Sequence, residues 1–227
     1  MDGIIASDLH MGQKDAADDF RGEKELTRFL RKFRHDTVIL AGDIFELMEC
    51  DVVDILLAYP DLSKQILEKA ALLEGNHDPD LVKYFPSNFA SRIVAHIAGH
   101  RTLILHGHQF DWLNSGKRKE VGRNIARAMG YIERHFYGQA DQKLANLWRW
   151  ICSQRERFDR QAAEMALQYD CDRVVYGHTH SEGVICIGRV TVANCGDWTR
   201  RRPDGFPYVR LTPDRVTVEY FSSTTPR

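Results

Sequence analysis

The chain has 227 residues, and its 31 Lys and Arg balance 32 Asp and Glu to a formal net charge of −1 at pH 7. This length suits a single domain over 1–227 and excludes two large domains, while the balanced charge excludes a globally basic nucleic-acid-binding protein. The five cysteines are scattered without a C-x-x-C motif, and no apolar run is long enough to span a membrane. We therefore expect a cytoplasmic protein without a secretory signal. Ten histidines are a high count for this length.

Predicted strands alternate with predicted helices in the first half of the chain. Short β-branched runs at 3–6, 37–41, 71–74, 92–97 and 102–106 are typical of strands. Two helices are predicted from apolar residues at helical spacing, the first from Leu26, Phe29, Leu30 and Phe33, and the second from Val52, Val53, Leu56 and Leu57. This alternation favours an α/β (α+β) fold with helices on the faces of layered sheets.

The segment 111–170 differs from the rest because it has no proline and no β-rich run. Its apolar stripe predicts two long helices, broken near Gly138. Strands return at 173–177, 184–187, 190–194, 207–211 and 216–220. We therefore predict a helical cap insertion over 111–170. Eleven basic and seven acidic residues in 111–169 give it a local positive charge.

Five polar motifs lie where predicted strands end. They are D-L-H at 8–10, G-D-I-F-E at 42–46, G-N-H-D at 75–78, H-G-H at 106–108 and G-H-T-H at 177–180. Singly each is weak, because an Asp at a strand end is often a turn former or helix cap and a lone His is often a satisfied structural residue. Two His with one residue between them can converge on one metal. All five motifs at the carboxyl ends of strands favour a metal site.

These motifs resemble the pattern of the calcineurin-like metallophosphoesterase superfamily: DxH, GDxxE, GNHD, a further His and GHxH. The resemblance implies a four-layer αββα sandwich with a two-metal centre at one edge of the sheets. It also implies the ligands. The first metal would be held by Asp8, His10 and His180, the second by Asn76, His106 and His178, and Asp43 would bridge both.

The chemistry of the donors agrees with the resemblance. A mixed oxygen and nitrogen set without thiolate suits Mn²⁺, Fe or Zn²⁺, and the share of oxygen favours Mn²⁺. Two divalent metal ions lower the pKa of a bound water and neutralise charge that builds on phosphoryl oxygens. We therefore predict a hydrolase of phosphoesters or pyrophosphates, in which metal-bound hydroxide attacks phosphorus.

Residues beside the proposed ligands have several interpretations. In the family, the residue at His77 contacts the phosphoryl oxygen and can protonate the leaving group. Asp78 would orient the imidazole of His77 as a catalytic partner, or it would cap a helix that begins at Pro79. Glu46 is either an acid that supports the metal ligands or a solvated helix residue. We expect His108 to be a neighbour of the site rather than a ligand.

The substrate is suggested by a narrower resemblance. G-D-I-F-E, the helical insertion and N-C-G-D-W at 194–198 are most similar to the UDP-2,3-diacylglucosamine pyrophosphatase family, whose cap accepts acyl chains. His77 and H-G-H at 106–108 depart from the well-known lipid A enzymes, so a related lipid or nucleotide pyrophosphate is equally open. The candidate substrate-binding residues are Arg123, Arg127, Arg200 and Arg201; the alternative is that they are only solvated charges.

The expected partners follow from this assignment. They are a phosphate-containing small molecule or lipid and, at the periphery, the anionic inner membrane surface; nucleic acid is not an expected partner. Two rival functions remain open from the sequence: a phosphodiesterase of nucleotides or nucleic acid, and a scaffold that kept the fold without catalysis.

Overall fold

Eleven strands form two sheets in this computed structural model, which describes residues 1–15, 18, 20, 22–79, 81–110, 155–199 and 203–222. The first sheet has the order β11-β10-β1-β2-β3-β4. Its strands are β1 (Gly3–Ala6), β2 (Thr37–Ala41), β3 (Ala71–Leu73), β4 (Phe89–Ala90), β10 (Phe206–Leu211) and β11 (Val216–Phe221). β1 to β4 run parallel, and β10 pairs antiparallel with β1.

The second sheet has the order β5-β6-β7-β9-β8. Its strands are β5 (Arg92–Ile97), β6 (His100–Leu105), β7 (Arg173–Tyr176), β8 (Gly183–Ile187) and β9 (Val190–Asn194). β6, β7 and β9 are parallel, and the two outer strands are antiparallel to their neighbours. Each sheet therefore contains three or more parallel strands whose carboxyl ends lie along one edge.

Helices cover the outer face of each sheet. On the first sheet these are α1 (Glu23–Lys32), α2 (Val52–Ala58) and α3 (Pro60–Lys69), followed by the single turn α4 (Leu81–Tyr84). On the second sheet, α5 (Arg155–Gln168) buries Phe158, Ala162 and Ala166 against β7 and β9. A short 3₁₀ turn spans His108–Phe110.

Alternation along the strands divides the core into layers. In β2, Val38 and Leu40 pack towards the helices, whereas Ile39 and Ala41 pack between the sheets. In β7, Val174 faces α5 and Val175 faces the first sheet. This period of two, with both faces buried, is what a parallel strand in a layered α/β protein requires. The predicted four-layer αββα sandwich is confirmed.

The predicted cap over 111–170 lies partly outside the described residues, which resume at 155. Its last portion forms α5, which packs on the second sheet as an outer layer of the sandwich. The cap itself stays a prediction. Within the described ranges, no helix is both long and apolar enough to cross a membrane.

Candidate metal centre

The polar motifs meet at one edge of the sandwich. Asp8 and His10 follow β1, Asp43 follows β2, and Asn76 follows β3. From the second sheet, His106 follows β6, and His178 and His180 follow β7. Because these five strands present their carboxyl ends at the same edge, donors that are far apart in the sequence become neighbours. The backbone N–H of His178 donates to both carboxylate oxygens of Asp8, 170 positions away, at 3.0 and 3.1 Å.

The backbone at the donors is strained. Non-glycine residues seldom adopt positive φ, and they keep it only where the surroundings hold them there. Hydrogen bonds between adjacent loops hold it here: Asp8 N–H donates to Gly42 O at 3.1 Å, and His10 N–H donates to Asp43 O at 3.0 Å. Five of the seven predicted ligands have this conformation: Asp8 (φ 56°), His10 (49°), Asp43 (49°), His178 (66°) and His180 (51°).

Two glycines allow the loops to approach closely. A Cβ atom on Gly75 would collide with the carboxylate and backbone nitrogen of Asp43. A Cβ atom on Gly177 would collide with Ser7 and with the carboxylate of Asp8. Glycine is therefore required at both positions because the loops from β3 and β7 lie directly against the two aspartates.

The first group of donors consists of Asp8, His10 and His180, whose ligand atoms lie within 4.8 Å of one another. His180 Nε2 is 3.2 Å from Asp8 Oδ1. Burial raises the pKa of Asp8, but the positive charges of His180 and His106 outweigh it and lower that pKa to about 2. Desolvation lowers the pKa of His180. The negative charges of Asp8 and Asp197 raise this pKa by more than desolvation lowers it, so the net shift is upward.

The second group consists of Asp43, His106 and His178, again within 4.8 Å. His106 Nδ1 donates to the Ala41 carbonyl at 2.9 Å, while its Nε2 faces Asp43 Oδ2 at 3.1 Å and Asn76 Oδ1 at 3.2 Å. A neutral imidazole has only one N–H, so, with that hydrogen on Nδ1, a proton or a metal ion at Nε2 would satisfy the two oxygens that face it. Burial lowers the pKa of His106, but Asp43 raises it to about 9.

Asp43 is the link between the two groups. It is 1% exposed, and its Oδ2 also lies 3.8 Å from His10 Nε2. Burial raises the pKa of Asp43, but the charges of His106, His77 and His10 lower it well below its usual range. Its Oδ1 accepts the backbone N–H of His77 at 2.8 Å.

The donor set fits divalent metal ions. His10 Nε2 is buried, and within the described part of the chain no hydrogen-bond donor or acceptor pairs with it. A buried ring nitrogen without a hydrogen bond costs free energy, and a cation between His10 and Asp43 would remove that cost. A second cation, in the group of Asp43, His106 and His178, would likewise pair with Nε2 of His106. These residues would hold two metal ions, one in each group, with Asp43 reaching both.

Glu46 and His77 form the wall of the site beside His10. Glu46 Oε2 is 2.7 Å from His77 Nδ1 and 2.8 Å from His10 Nδ1. Burial lowers the pKa of His77, but Asp43 and Glu46 raise it to about 10. Burial raises the pKa of Glu46, but His77 and His10 lower it to about 2. Glu46 therefore supports the ligands, as one of its two interpretations held.

Asp78 has neither of its two predicted roles, which were to orient the His77 imidazole or to cap a helix that begins at Pro79. One carboxylate oxygen accepts the N–H of Gly75 at 2.6 Å, and the other accepts those of Ile44 at 2.7 Å and Phe45 at 3.3 Å. Burial and the neighbouring Asp43 raise the pKa of Asp78 to about 7. Its bonds therefore join the loop after β2 to the loop after β3, whereas the predicted orientation of the His77 imidazole is provided by Glu46.

A family model matches most of the chain. The model for the calcineurin-like phosphoesterases matches residues 4–182, which include all five motifs. The chain belongs to this family. No curated protein sequence matches it.

Two solved structures illustrate the similarity of fold. The phosphoesterase Yfce from E. coli has a TM-score of 0.53 and 16% identity, covering 99% of this chain and 96% of that one. Vacuolar protein sorting 29 from Cryptosporidium parvum has a TM-score of 0.50 and 16% identity, covering 96% and 88%. At this identity, both similarities concern the phosphoesterase fold.

The predicted residues of this phosphoesterase divide into two sets. The seven predicted ligands and His77 come together at one edge, and the ring of His108 lies 5.4 Å from that of His106, as a neighbour. The candidate substrate-binding residues Arg123, Arg127, Arg200 and Arg201 lie outside the described residues. Asp197, whose negative charge acts on His180, was included in N-C-G-D-W at 194–198 but was given no role in the site. Its signal is an acidic residue three positions after the end of β9, the third parallel strand of the second sheet.

Proposed function

We propose that this chain is a two-metal hydrolase of phosphoesters or pyrophosphates. The observation that carries the proposal is the pair of donor groups that meet at the buried Asp43, a member of one group that lies 3.8 Å from His10 of the other, beside the half-buried ring of His77. The family assignment supports phosphoester hydrolysis in general. Metal content distinguishes this proposal from a scaffold function, because a scaffold would not need the complete set of seven donors.

Each residue of the site has a separate role in the proposed hydrolysis. When bound, the two metal ions supply an activated water and stabilise negative charge on the phosphoryl group. Asp43 holds the two donor groups together, and Asp8 anchors the loop that carries His178. His77 would donate a hydrogen bond to a phosphoryl oxygen and a proton to the leaving group, since its backbone is bonded to Asp43 and its ring to Glu46.

We further propose a lipid or nucleotide pyrophosphate as substrate, of the UDP-2,3-diacylglucosamine type, with Mn²⁺ as the metal. The support is the sequence pattern, above all N-C-G-D-W at 194–198. In this motif the backbone N–H of Trp198 donates to the backbone carbonyl of Asp8 at 3.0 Å, so the motif contacts a residue of the site. The share of oxygen donors supports Mn²⁺. Peripheral contact with an anionic membrane would bring the enzyme to a lipid substrate.

The test is the metal-dependent hydrolysis of a chromogenic phosphodiester. Asp43→Ala removes the residue shared by both donor groups, so we expect kcat to fall by at least about 10²-fold. Asp54→Ala, in an exposed turn of α2, is the control and keeps its activity. Equal activity of the Asp43 variant after chelation would contradict the proposal. A purified wild-type protein that is metal-free and inert would instead favour the scaffold.

A substrate panel then separates the finer proposals. UDP-2,3-diacylglucosamine and other lipid pyrophosphates are compared with cyclic nucleotides and single-stranded DNA, after loading with Mn²⁺, Zn²⁺ or Fe²⁺. We expect the highest kcat/KM for a lipid pyrophosphate with Mn²⁺. Preference for a cyclic nucleotide or for DNA would assign the chain to the phosphodiesterase alternative.

A further inference from the structure

Every exposed residue between Gly22 and Asp36 is Lys, Arg or His. These residues, which we call the α1 basic face, are Lys24, Arg28, Arg31, Lys32, Arg34 and His35. This is a local concentration of positive charge in a protein whose formal net charge is −1. We propose that the α1 basic face binds the surface of an anionic phospholipid membrane. The inference deepens the proposed function, on which it rests only for the lipid substrate, by naming the surface that brings the metal centre to that substrate.

The spacing of the basic residues places three side chains in one row. Lys24, Arg28 and Arg31 are four and three positions apart, so they lie on the same side of α1, over about 10 Å of its axis. Arg34 lies in the turn after the helix, where its guanidinium donates to the carbonyl of Arg31 at 3.4 Å and so continues the row. The opposite side of α1 is buried in the core through Leu26, Phe29 and Leu30. The row of positive charge therefore faces solvent.

The positive charges of this face are not neutralised by neighbouring carboxylates. Within the described part of the chain, no carboxylate forms an ion pair with any of the six basic side chains. The acidic residues of the same segment are partly buried. Glu23 pairs instead with Lys14 at 2.8 Å, and Asp36 accepts the backbone N–H of Asp2 at 3.3 Å. The face is therefore available to an external anion.

The stability of α1 explains only part of this charge. Arg31 and Lys32 lie in the last turn, where a cation interacts favourably with the helix dipole. Lys24 lies in the first turn, where the same dipole disfavours a cation, and Arg28 lies in the middle of the helix. An anionic partner outside the protein gives a reason for positive charge along the whole helix.

The chemistry of the face favours a lipid surface over a nucleic acid. Clusters of about four to eight Lys and Arg on an amphipathic helix are typical of binding to anionic lipid headgroups, and this face has five. Surfaces that bind nucleic acid strands add aromatic rings for stacking and small polar side chains for phosphates and bases. The exposed side chains here include neither. The only hydroxyl in α1, that of Thr27, donates to the carbonyl of Glu23 at 2.8 Å.

The α1 basic face begins beside the metal centre. A Cβ atom on Gly22, which precedes α1, would lie 3.2 Å from the ring of Trp198. The backbone N–H of Trp198 in turn donates to the carbonyl of Asp8, one of the proposed metal ligands, at 3.0 Å. A membrane bound along α1 would therefore lie next to the edge of the sandwich that carries the donors, at the Lys24 end of the helix.

The first experiment measures membrane binding without turnover. The 227-residue protein is sedimented with vesicles of phosphatidylcholine alone, and with vesicles of phosphatidylcholine and phosphatidylglycerol in equal parts. Each measurement is made with Mn²⁺ and again with EDTA, so that a contribution of the metal centre is recognised. We expect binding to the anionic vesicles only, in both conditions, and weaker binding at high salt because salt screens the charges. Wild-type protein that does not bind the anionic vesicles would overturn the inference.

The second experiment locates the binding surface. Arg28→Gln/Arg31→Gln removes two charges from the face and keeps good helix formers. Each Lys or Arg near an anionic surface strengthens binding about 5-fold, so the vesicle partition coefficient should fall about 25-fold. Lys64→Gln/Lys69→Gln is the matched control, because it makes the same change of net charge at exposed positions of the neighbouring α3, and it should bind as the wild type does.

A second pair of substitutions protects this test against misfolding, which circular dichroism detects. Lys24→Gln/Arg34→Gln changes the two ends of the face and should weaken binding to a similar extent. Equal binding of the α1 variants and the wild type would overturn the inference, as would equal losses in the α1 and α3 variants. Tighter binding to duplex or single-stranded DNA than to the anionic vesicles at the same salt, again dependent on Arg28 and Arg31, would assign the face to nucleic acid instead.

The third experiment links the face to hydrolysis. With a lipid pyrophosphate embedded in anionic vesicles, Arg28→Gln/Arg31→Gln should raise KM and leave kcat unchanged, because only the approach to the membrane is lost. Its activity on a soluble chromogenic phosphodiester should equal that of the wild type, and a loss there would contradict a role confined to the membrane. If the wild type hydrolyses neither substrate, the proposed function fails, while vesicle binding still decides the role of α1.

Discussion

At the scale of single residues, the side chain of Asp78 stabilises two loops of the site through hydrogen bonds to their backbone. Its carboxylate is fully buried and accepts three backbone N–H groups, from Ile44, Phe45 and Gly75. Those groups belong to the loops that carry Asp43 and His77. Buried amides without an acceptor are costly, so the residue stabilises the positions of both neighbours without contacting the His77 ring through a hydrogen bond.

Asp78→Ala is therefore expected to lower the free energy of unfolding, by at least about 2 kcal/mol, because three buried amides lose their acceptor. Urea denaturation of the chelated protein measures this without a contribution from bound metal. Asp61→Ala, in the exposed first turn of α3, is the control. Stability within about 0.5 kcal/mol of the wild type, together with a kcat as low as that of His77→Ala, would instead make Asp78 the catalytic partner of His77.

At the scale of elements, polar contacts attach α5 to the loop that carries two of the proposed metal ligands. Tyr176, the last residue of β7, donates its hydroxyl to Asp159 Oδ1 at 2.7 Å, and Asp159 is 4% exposed. Arg155 lies 3.4 Å from the other carboxylate oxygen and donates to the Glu182 carbonyl at 3.1 Å. The first turn of α5 is thus attached to both ends of the loop that carries His178 and His180.

Tyr176→Phe should destabilise the protein by about 1–3 kcal/mol, because a buried carboxylate oxygen loses its hydrogen-bond donor. Tyr220→Phe is the matched control: that hydroxyl makes an exposed 3.3 Å bond to Glu182, and its loss should change stability by less than about 0.5 kcal/mol. Urea denaturation of both variants gives the comparison. Equal effects would show that the bond to Asp159 adds nothing to the attachment of α5.

At the scale of the whole molecule, the donors of the proposed metal centre come from both sheets. Asp8, His10 and Asp43 come from the first sheet, and His106 and His178 from the second. The sheets otherwise meet through the apolar layer between them, which includes Ile39 and Val175. A metal ion bound by donors from both sheets is lost on unfolding, so its binding free energy adds to the stability of the sandwich.

Metal loading should therefore raise the melting temperature of the wild type. Free Mn²⁺ at 100 times its dissociation constant adds about 2.7 kcal/mol for each site. Thermal denaturation with EDTA and then with excess Mn²⁺ measures the shift. Asp43→Ala should show little of it. A wild-type protein whose melting temperature is the same in both conditions would contradict a metal centre between the sheets.

Most of the fold could be predicted from the local sequence pattern. The errors of that prediction lie where packing against neighbouring elements decides which face of a helix is buried. The predicted bounds of β1, β2, β5 and β9 match those observed, because their β-branched runs end at polar motifs or, for β5, at the turn Ala98-Gly99, where both residues have positive φ. α3 was missed. In α2 the pattern included Val53 and Leu57, which are 57% and 73% exposed, whereas Ile55 is buried. A helix of two turns with apolar residues on several sides takes its buried face from its neighbours.

The sequence by itself determined most of the strands, because strand period is a local property of the chain, and the resemblance of its motifs to a family supplied the expected donor residues. Only the tertiary structure decided which side chains support the donors. Glu46 meets His10 and His77 across 36 and 31 positions, and His178 meets Asp8 across 170. The contacts of Glu46 depend on which strands are neighbours in the first sheet, and the contact of His178 depends on how the two sheets face each other. This arrangement places Glu46, and not the adjacent Asp78, against the His77 ring.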